Sequence, residues 1–175
     1  MKRQMIIVAC ALLAAAGLVQ AQQTTTTLKV QVGPEASLTV TNPETDLTTA
    51  STAFGDPFTG ITNLTYMIRT SQNSGTGSIS VTITSDFAPG GGPSVTSPLT
   101  GDELTYGCTV SSPGTGCTGT PKASASVATA VAGFGANAKS AKGGNSASVN
   151  WSLPDDPAYP TATYSATATF SISAT

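Results

Sequence analysis

The chain has 175 residues, and only 9% of them are charged, against roughly 25% in an ordinary soluble domain. It has 7 Lys and Arg, 9 Asp and Glu, and no His, which gives a net charge of −2. The lack of His excludes Ser–His and Cys–His catalysis and His-ligated zinc, copper or haem. The acidic balance argues against a nucleic-acid partner, because a phosphate backbone would repel the protein.

The N-terminus has the pattern of an export signal. Lys2 and Arg3 precede an uncharged apolar run, Met5 to Val19, which ends in Val19-Gln20-Ala21. This pattern predicts cleavage between Ala21 and Gln22, leaving residues 22–175 as a single exported domain. A transmembrane anchor is the alternative, but a run of about 15 residues is short for a hydrocarbon core of ~30 Å. The rest of the chain predicts no transmembrane helix, so we expect a secreted protein, extracellular or on a bacterial cell surface.

Alternation of apolar and polar residues at a period of two predicts a series of short strands in the exported part. The apolar members, in chain order, are Leu28, Val30 and Val32; Leu38 and Val40; Leu64, Tyr66 and Ile68; Ile79, Val81 and Ile83; Leu104, Tyr106, Cys108 and Val110; Ala123, Ala125, Val127 and Val131; Val149, Trp151 and Leu153; and Tyr164, Ala166, Ala168, Phe170, Ile172 and Ala174. Ser or Thr, 50 residues in all, fills most positions between them.

Turn signals separate these segments. Ser71 to Gly77 predicts a β-hairpin, and the Gly- and Pro-rich stretch 88–93 predicts a surface loop. The Ser/Thr alternation and glycines of residues 123–141 favour a strand followed by a loop over a helix. About eight short strands with turns between them predict an all-β fold, an immunoglobulin-like antiparallel β-sandwich.

Two cysteines remain after the predicted cleavage, Cys108 and Cys117. In an exported protein such a pair predicts a disulfide, here closing a local turn-rich loop and contributing about 2–3 kcal/mol. A redox or metal-binding pair is the alternative, but neither the spacing nor the lack of His favours it.

Two pairs of adjacent acidic residues are the candidates for a catalytic or metal-binding site: Asp102 with Glu103, and Asp155 with Asp156. Glycoside hydrolysis requires two carboxylates that face one substrate, whereas neighbours on a strand point to opposite faces. Both pairs lie in or beside predicted turns, where acids are common. A calcium site at Asp155 and Asp156, completed by loop carbonyls, is the alternative. We therefore predict no enzyme, no catalytic residue, and no cofactor or metal.

Trp151 shares the parity of Val149 and Leu153, which predicts a position in the core. The alternative is a sugar-stacking platform, which would require further aromatic side chains such as Tyr159 and Tyr164 on the same exposed face.

The segment from Gln22 to Val32 is polar, contains one charge, and ends in an alternating stretch. A terminal segment of this kind can add as a strand to the sheet of a neighbouring subunit. The alternative is that it forms the first strand of its own sheet. The scarcity of charge favours strand addition, because soluble monomers commonly protect their edge strands with Lys or Pro.

The C-terminal segment Thr163-Tyr164-Ser-Ala-Thr-Ala-Thr-Phe170-Ser-Ile172-Ser resembles the closing strand of bacterial pilin subunits of the chaperone–usher and spore-coat-U type. Those subunits end in a tyrosine followed by alternating small, β-branched and apolar residues. The resemblance implies a non-catalytic structural subunit of a surface filament. Self-association into a homopolymer would then occur by strand addition, with Leu28, Val30 and Val32 as the assembly strand. A carbohydrate-binding or adhesive module, with a surface polysaccharide as partner, is the alternative.

Overall fold

The computed structural model describes residues 24–52 and 54–175; the predicted cleavage site at Ala21 and Gln22 lies outside them. The chain divides into two units, residues 1–31 and residues 32–175. The described residues contain eight strands, all in the second unit, and none of them forms a helix that could span a membrane. The strands are β1 (Glu35–Val40), β2 (Phe58–Arg69), β3 (Gly77–Ala88), β4 (Thr105–Val110), β5 (Thr115–Gly116), β6 (Thr129–Phe134), β7 (Asn145–Leu153) and β8 (Ser165–Ala174).

The strands form two antiparallel sheets of four strands each. Sheet A has the order β1-β2-β7-β4, and sheet B has the order β5-β6-β3-β8. The prediction of an all-β sandwich is therefore confirmed.

The core lies between the inward faces of the two sheets, and it contains most of the apolar residues that the alternation selected. The central strands are the most deeply buried: Ile79, Val81 and Val149 are at most 1% exposed. Aromatic contacts join the two sheets, because the rings of Tyr66 and Phe134 lie 5.2 Å apart. Alternating burial follows directly from the two-residue period of a strand.

The segment Ser71 to Gly77 is not a hairpin, so that prediction is wrong. It connects β2 in sheet A with β3 in sheet B. The Ser71 amide donates to the Thr175 carbonyl, so the turn is anchored to the end of β8. Gly75 permits this close approach, because a Cβ at that position would lie 2.2 Å from the Ser71 nitrogen.

Two other boundaries also differ from the sequence prediction. Residues 123–128 are a loop, and the strand of this region is β6, Thr129–Phe134. The two-residue strand β5 was not predicted at all. Only its pairing with β6, where Thr115 lies opposite Gly133, defines it as a strand. A strand of two residues is too short to show an alternating pattern in the sequence, so only its hydrogen-bonded partner strand identifies it.

The sandwich has two ends, set by the directions of the strands. The Thr175 end is where β2 and β8 finish and β3 begins; it includes residues 70–76, 111–114 and 135–144. The Asp102 end is the opposite one and includes residues 41–57, 89–104 and 154–164.

The sandwich also has two flanks, where the edge strands of the two sheets face each other. On the closed flank, β4 of sheet A lies against β5 and β6 of sheet B. On the open flank, β1 of sheet A lies against β8 of sheet B.

Candidate functional site: the open flank

The inward side chains of β8 are only half-buried along its whole length. They are Ala166, Ala168, Phe170, Ile172 and Ala174. By contrast, Ile79, Val81 and Ile83 in the neighbouring strand β3 are at most 3% exposed. An apolar row packed on one side and partly open on the other is a surface that a further element could cover.

Among the described residues, no strand pairs with the backbone edge of β8 that faces away from β3. The Thr175 amide donates to the Thr76 carbonyl, toward β3. Because amides along a strand alternate in direction, those of the even-numbered residues 166–174 point away from β3. This ten-residue strand contains neither charge nor proline. It therefore lacks the usual protections against pairing with another chain.

Across the flank, β1 covers this row incompletely. Ala36 and Leu38 are half-buried, and Val40 is 39% exposed. β1 has six residues against the ten of β8, so it cannot match the whole length of β8. The open flank is thus a strip of partly exposed apolar side chains beside a free strand edge.

Residues 24–34, which carry the predicted assembly strand, form no strand in the structure. Leu28, Val30 and Val32 are 90%, 86% and 61% exposed. The alternative that this segment is the first strand of its own sheet is therefore wrong for residues 24–34, because the first strand of the described residues begins at Glu35. The structure leaves three alternating apolar side chains in solvent.

The closed flank has the opposite character. The predicted disulfide joins Cys108 and Cys117, whose Cα atoms lie 5.4 Å apart. Cys108 lies in β4 of sheet A and Cys117 directly follows β5 of sheet B, so the bridge connects the two sheets as well as closing a local loop. The Tyr106 hydroxyl adds a second link, donating to the Ala130 carbonyl at 2.9 Å.

Trp151 is a core residue, as its parity predicts. It is 6% exposed, and its Nε1 donates to the hydroxyl of Thr62 at 2.9 Å. Its ring centroid lies 5.4 Å from that of Tyr106 and 6.5 Å from that of Phe170. The ring is not available for stacking on a sugar. Tyr159 and Tyr164 are engaged elsewhere, since their hydroxyls donate to Asp102 and to the Pro160 carbonyl.

Asp86 organises a loop at the Asp102 end. Its carboxylate accepts hydrogen bonds from the amides of Phe87, Val95 and Thr96 and from the hydroxyls of Ser94 and Thr96. Partial burial acts to raise the pKa of Asp86, but these hydrogen bonds outweigh it and hold the pKa well below its usual value. The charged carboxylate of Asp86 thus has a structural role, because its hydrogen bonds hold residues 94–96 against β3.

Asp102 belongs to the first of the two acidic pairs, the one with Glu103. It is 8% exposed and accepts a hydrogen bond of 2.9 Å from the Tyr159 hydroxyl. Burial, followed by contact with the Asp156 carboxyl, raises the pKa of Asp102 against the lowering effect of Tyr159. Burial and the nearby Asp102 also raise the pKa of Tyr159.

This contact bears on the calcium alternative at Asp155 and Asp156. Within residues 24–52 and 54–175, no group of three or more His, Cys, Asp or Glu side chains is placed to hold a metal ion. The Asp156 carboxyl contacts Asp102 instead. The structure therefore gives the calcium alternative no support.

The edge position of β8 was missed by sequence reasoning, although its residues were singled out. Alternation showed which side chains face inward but not that β8 is an edge strand.

No family model matches the chain, and comparisons with curated proteins and with solved structures find no significant similarity.

Proposed function

We propose that this protein is a non-catalytic structural subunit of an extracellular or cell-surface filament, assembled by addition of a β-strand from one copy to the next. One observation carries the proposal. The chain has both an apolar strip beside a free strand edge on β8 and a solvent-exposed segment with matching alternation at residues 24–33. Each would complete the other in a neighbouring copy.

The lengths of the two parts agree. Residues 24–33 are ten in number, as are those of β8, and both would extend over roughly 33 Å. In an extended segment Leu28, Val30 and Val32 point to one side, so all three can face the strip between β1 and β8.

The energetics favour burial of these side chains. Each large apolar side chain moved from water into a packed interface contributes about 1.5–3 kcal/mol. The backbone amides of the segment would meanwhile pair with the free edge of β8, as in other complexes formed by β-augmentation.

The test is a matched pair of substitutions in the assembly strand. Val30→Asp places a carboxylate on the apolar face, and Gln31→Asp places the same charge on the opposite face. We expect Val30→Asp to abolish filaments and Gln31→Asp to retain them, as seen by negative-stain electron microscopy of residues 22–175 over a concentration series. Filaments of equal length from both variants would contradict the proposal.

The acceptor is tested separately at Ala168, whose amide points away from β3. Ala168→Pro removes one donor from the free edge without removing a β3–β8 hydrogen bond. We expect a folded monomer, by circular dichroism, that does not elongate.

Deletion of residues 22–33 supplies the complementary test. The truncated protein should remain folded and monomeric, because its buried core lies in residues 64–153. It should also bind a synthetic peptide of residues 24–33, and the peptide carrying Val30→Asp should not bind. Filaments formed by the truncated protein would rule out strand addition.

A further inference from the structure

The charges of the sandwich are segregated between its two ends. Eight acidic residues lie at or beside the Asp102 end, and the only acid at the Thr175 end among the described side chains is Glu35. The eight are Glu44, Asp46, Asp56, Asp86, Asp102, Glu103, Asp155 and Asp156. Lys122 is the one cation at this end among the residues that the structure describes, and its Nζ lies 2.7 Å from the Glu103 carboxylate.

The Thr175 end carries the opposite sign. Arg69, Lys139 and Lys142 lie around one shallow depression, together with Glu35. Glu35 forms a salt bridge with Arg69 at 2.9 Å. The backbones of Arg69 and Lys139 pair as an isolated antiparallel β-bridge, which brings Lys139 beside the end of β2. Lys139 and Lys142 are both exposed, so this end presents a cationic surface.

Between the ends the sandwich carries almost no charge. Strands β4, β6, β7 and β8 contain no charged residue, and those of β1, β2 and β3 lie near strand ends: Glu35, Arg69 and Asp86. The field of the molecule is therefore directed along its strands rather than spread over its surface.

We propose that two copies of this chain dock head to tail, with the cationic Thr175 end of one, at Lys139 and Lys142, against the acidic Asp102 end of the next, at Glu44, Asp46 and Asp56. This inference rests on the proposed function and deepens it by assigning the polarity of the filament. Contact between two different surfaces of identical copies leaves a free surface at each end, and it propagates as an open chain when the rotation between copies does not close a ring.

The arrangement also fixes the direction of strand addition. The segment 24–33 joins the sandwich at the Thr175 end, where β1 begins. When that end faces the Asp102 end of the next copy, the segment enters there and its N-terminus reaches toward the far end. β8 runs from the Asp102 end to the Thr175 end. The two strands are therefore antiparallel, the arrangement in which the inter-strand hydrogen bonds run straight across the pair.

The experiment measures the rate of association by light scattering at low ionic strength, with the chain from Gln22 onward. The first variant, Lys139→Glu with Lys142→Glu, makes both ends of the sandwich acidic. The second variant combines Glu44→Lys, Asp46→Lys and Asp56→Lys, and it reduces the negative charge of the Asp102 end. All five residues are exposed, so the variants should fold. We expect each variant alone to associate about tenfold or more slowly than the wild type, and the mixture of the two to recover most of the rate.

Two controls isolate the charge effect. Thr39→Glu with Thr109→Glu adds two carboxylates to exposed positions on the outer face of sheet A, between the ends, and should leave the rate within about twofold of wild type. In about 1 M salt, where the screening length falls to about 3 Å, the wild type should slow to the rate of the charge-reversed variants.

The outcomes separate this inference from the proposed function. Equal rates for the wild type and Lys139→Glu with Lys142→Glu at low salt, with filaments still lost in Val30→Asp, would overturn head-to-tail docking and leave strand addition intact. Loss of the rate in both single variants without recovery in the mixture would also overturn it. A wild type that shows no association at any salt concentration would overturn both proposals.

Discussion

The two flanks of the sandwich are built from similar strands but are completed in different ways. The closed flank has a disulfide between Cys108 and Cys117 and a hydrogen bond from Tyr106 to Ala130, both of which join the sheets. The open flank has neither, and β8 there keeps an apolar row that is half-exposed. The links between the sheets are thus concentrated on the closed flank, whereas the open flank, which lacks these two links, is the one that could still accept a strand.

The largest expected effect on the free energy of unfolding comes from comparing the same Ile→Ala substitution in two paired strands. Ile79 in β3 and Ile172 in β8 are directly opposite each other, but Ile79 is 0% exposed and Ile172 is half-buried. Ile79→Ala should lower the free energy of unfolding by about 2–5 kcal/mol, and Ile172→Ala by about half as much in the monomer. Urea denaturation of the monomers measures both. Equal losses would mean that the open flank is packed as well as the core.

Breaking the closed flank should have the next largest effect. Cys108→Ser with Cys117→Ser removes the cross-link between the sheets and should lower the free energy of unfolding by about 2–3 kcal/mol. Because β8 lies on the other flank, filament assembly below the unfolding transition should persist. Chemical reduction of the wild type is the control and should give the same loss. A stable but non-assembling double variant would show that the two flanks are coupled.

A smaller effect is expected at Asp86, which lies in β3 beside the open flank. Asp86→Ala removes the acceptor for three amides and two hydroxyls and should cost about 1–3 kcal/mol at neutral pH.

The pH dependence of this effect has a definite sign. Because the folded-state pKa of Asp86 is lowered, its stabilisation is present above the unfolded value of about 3.9 and is lost as the pH falls through the folded value. The difference between wild type and variant should therefore shrink in acid, as measured by urea denaturation at about pH 7 and about pH 3. The exposed Asp56→Ala is the control for the loss of a surface carboxylate. A difference that grows in acid would contradict the assignment.

The smallest effect is expected at Asp102, which precedes β4 on the closed flank. Its raised pKa means that its contribution to stability is full below the unfolded value of about 3.9 and is lost as the pH rises through the folded value. Asp102→Asn stays neutral and can still accept from Tyr159. We expect the variant to be more stable than the wild type by up to about 1 kcal/mol near pH 7, and equal to it near pH 4. A destabilised variant at pH 7 would contradict this sign.

Much of the fold could be predicted from the sequence because each strand carries its own two-residue pattern. That pattern correctly selected Leu64, Ile79, Val81 and Val149 as core residues. It could not show which strands would be neighbours. Ser71 to Gly77 has the composition of a hairpin turn, yet it crosses between the sheets, since the partners of β2 and β3 are set by distant segments.

The candidate site shows the same limit more clearly. β8 has the most regular alternation in the chain, which would suggest the deepest burial, yet its inward residues are half-exposed because β8 lies at the edge of sheet B. The inward-facing residues of β8 could therefore be predicted from the sequence, but their partial exposure at the sheet edge could not. Charge segregation is likewise hidden in the linear sequence, because the direction of each strand decides at which end its flanking loops lie.

The outer face of sheet B is covered by paired hydroxyl groups. Ser78 lies 3.1 Å from Ser173, Thr84 lies 2.9 Å from Thr169, and Thr76 lies 3.1 Å from Thr175, measured between the side-chain oxygens. In a filament built end to end, the charged groups at the ends of each copy would be enclosed at the junctions, and these hydroxyls would form its lateral surface. Such a fibre would have sides that barely titrate, so acidity and ionic strength would govern how it grows but hardly how its finished shaft interacts with its surroundings.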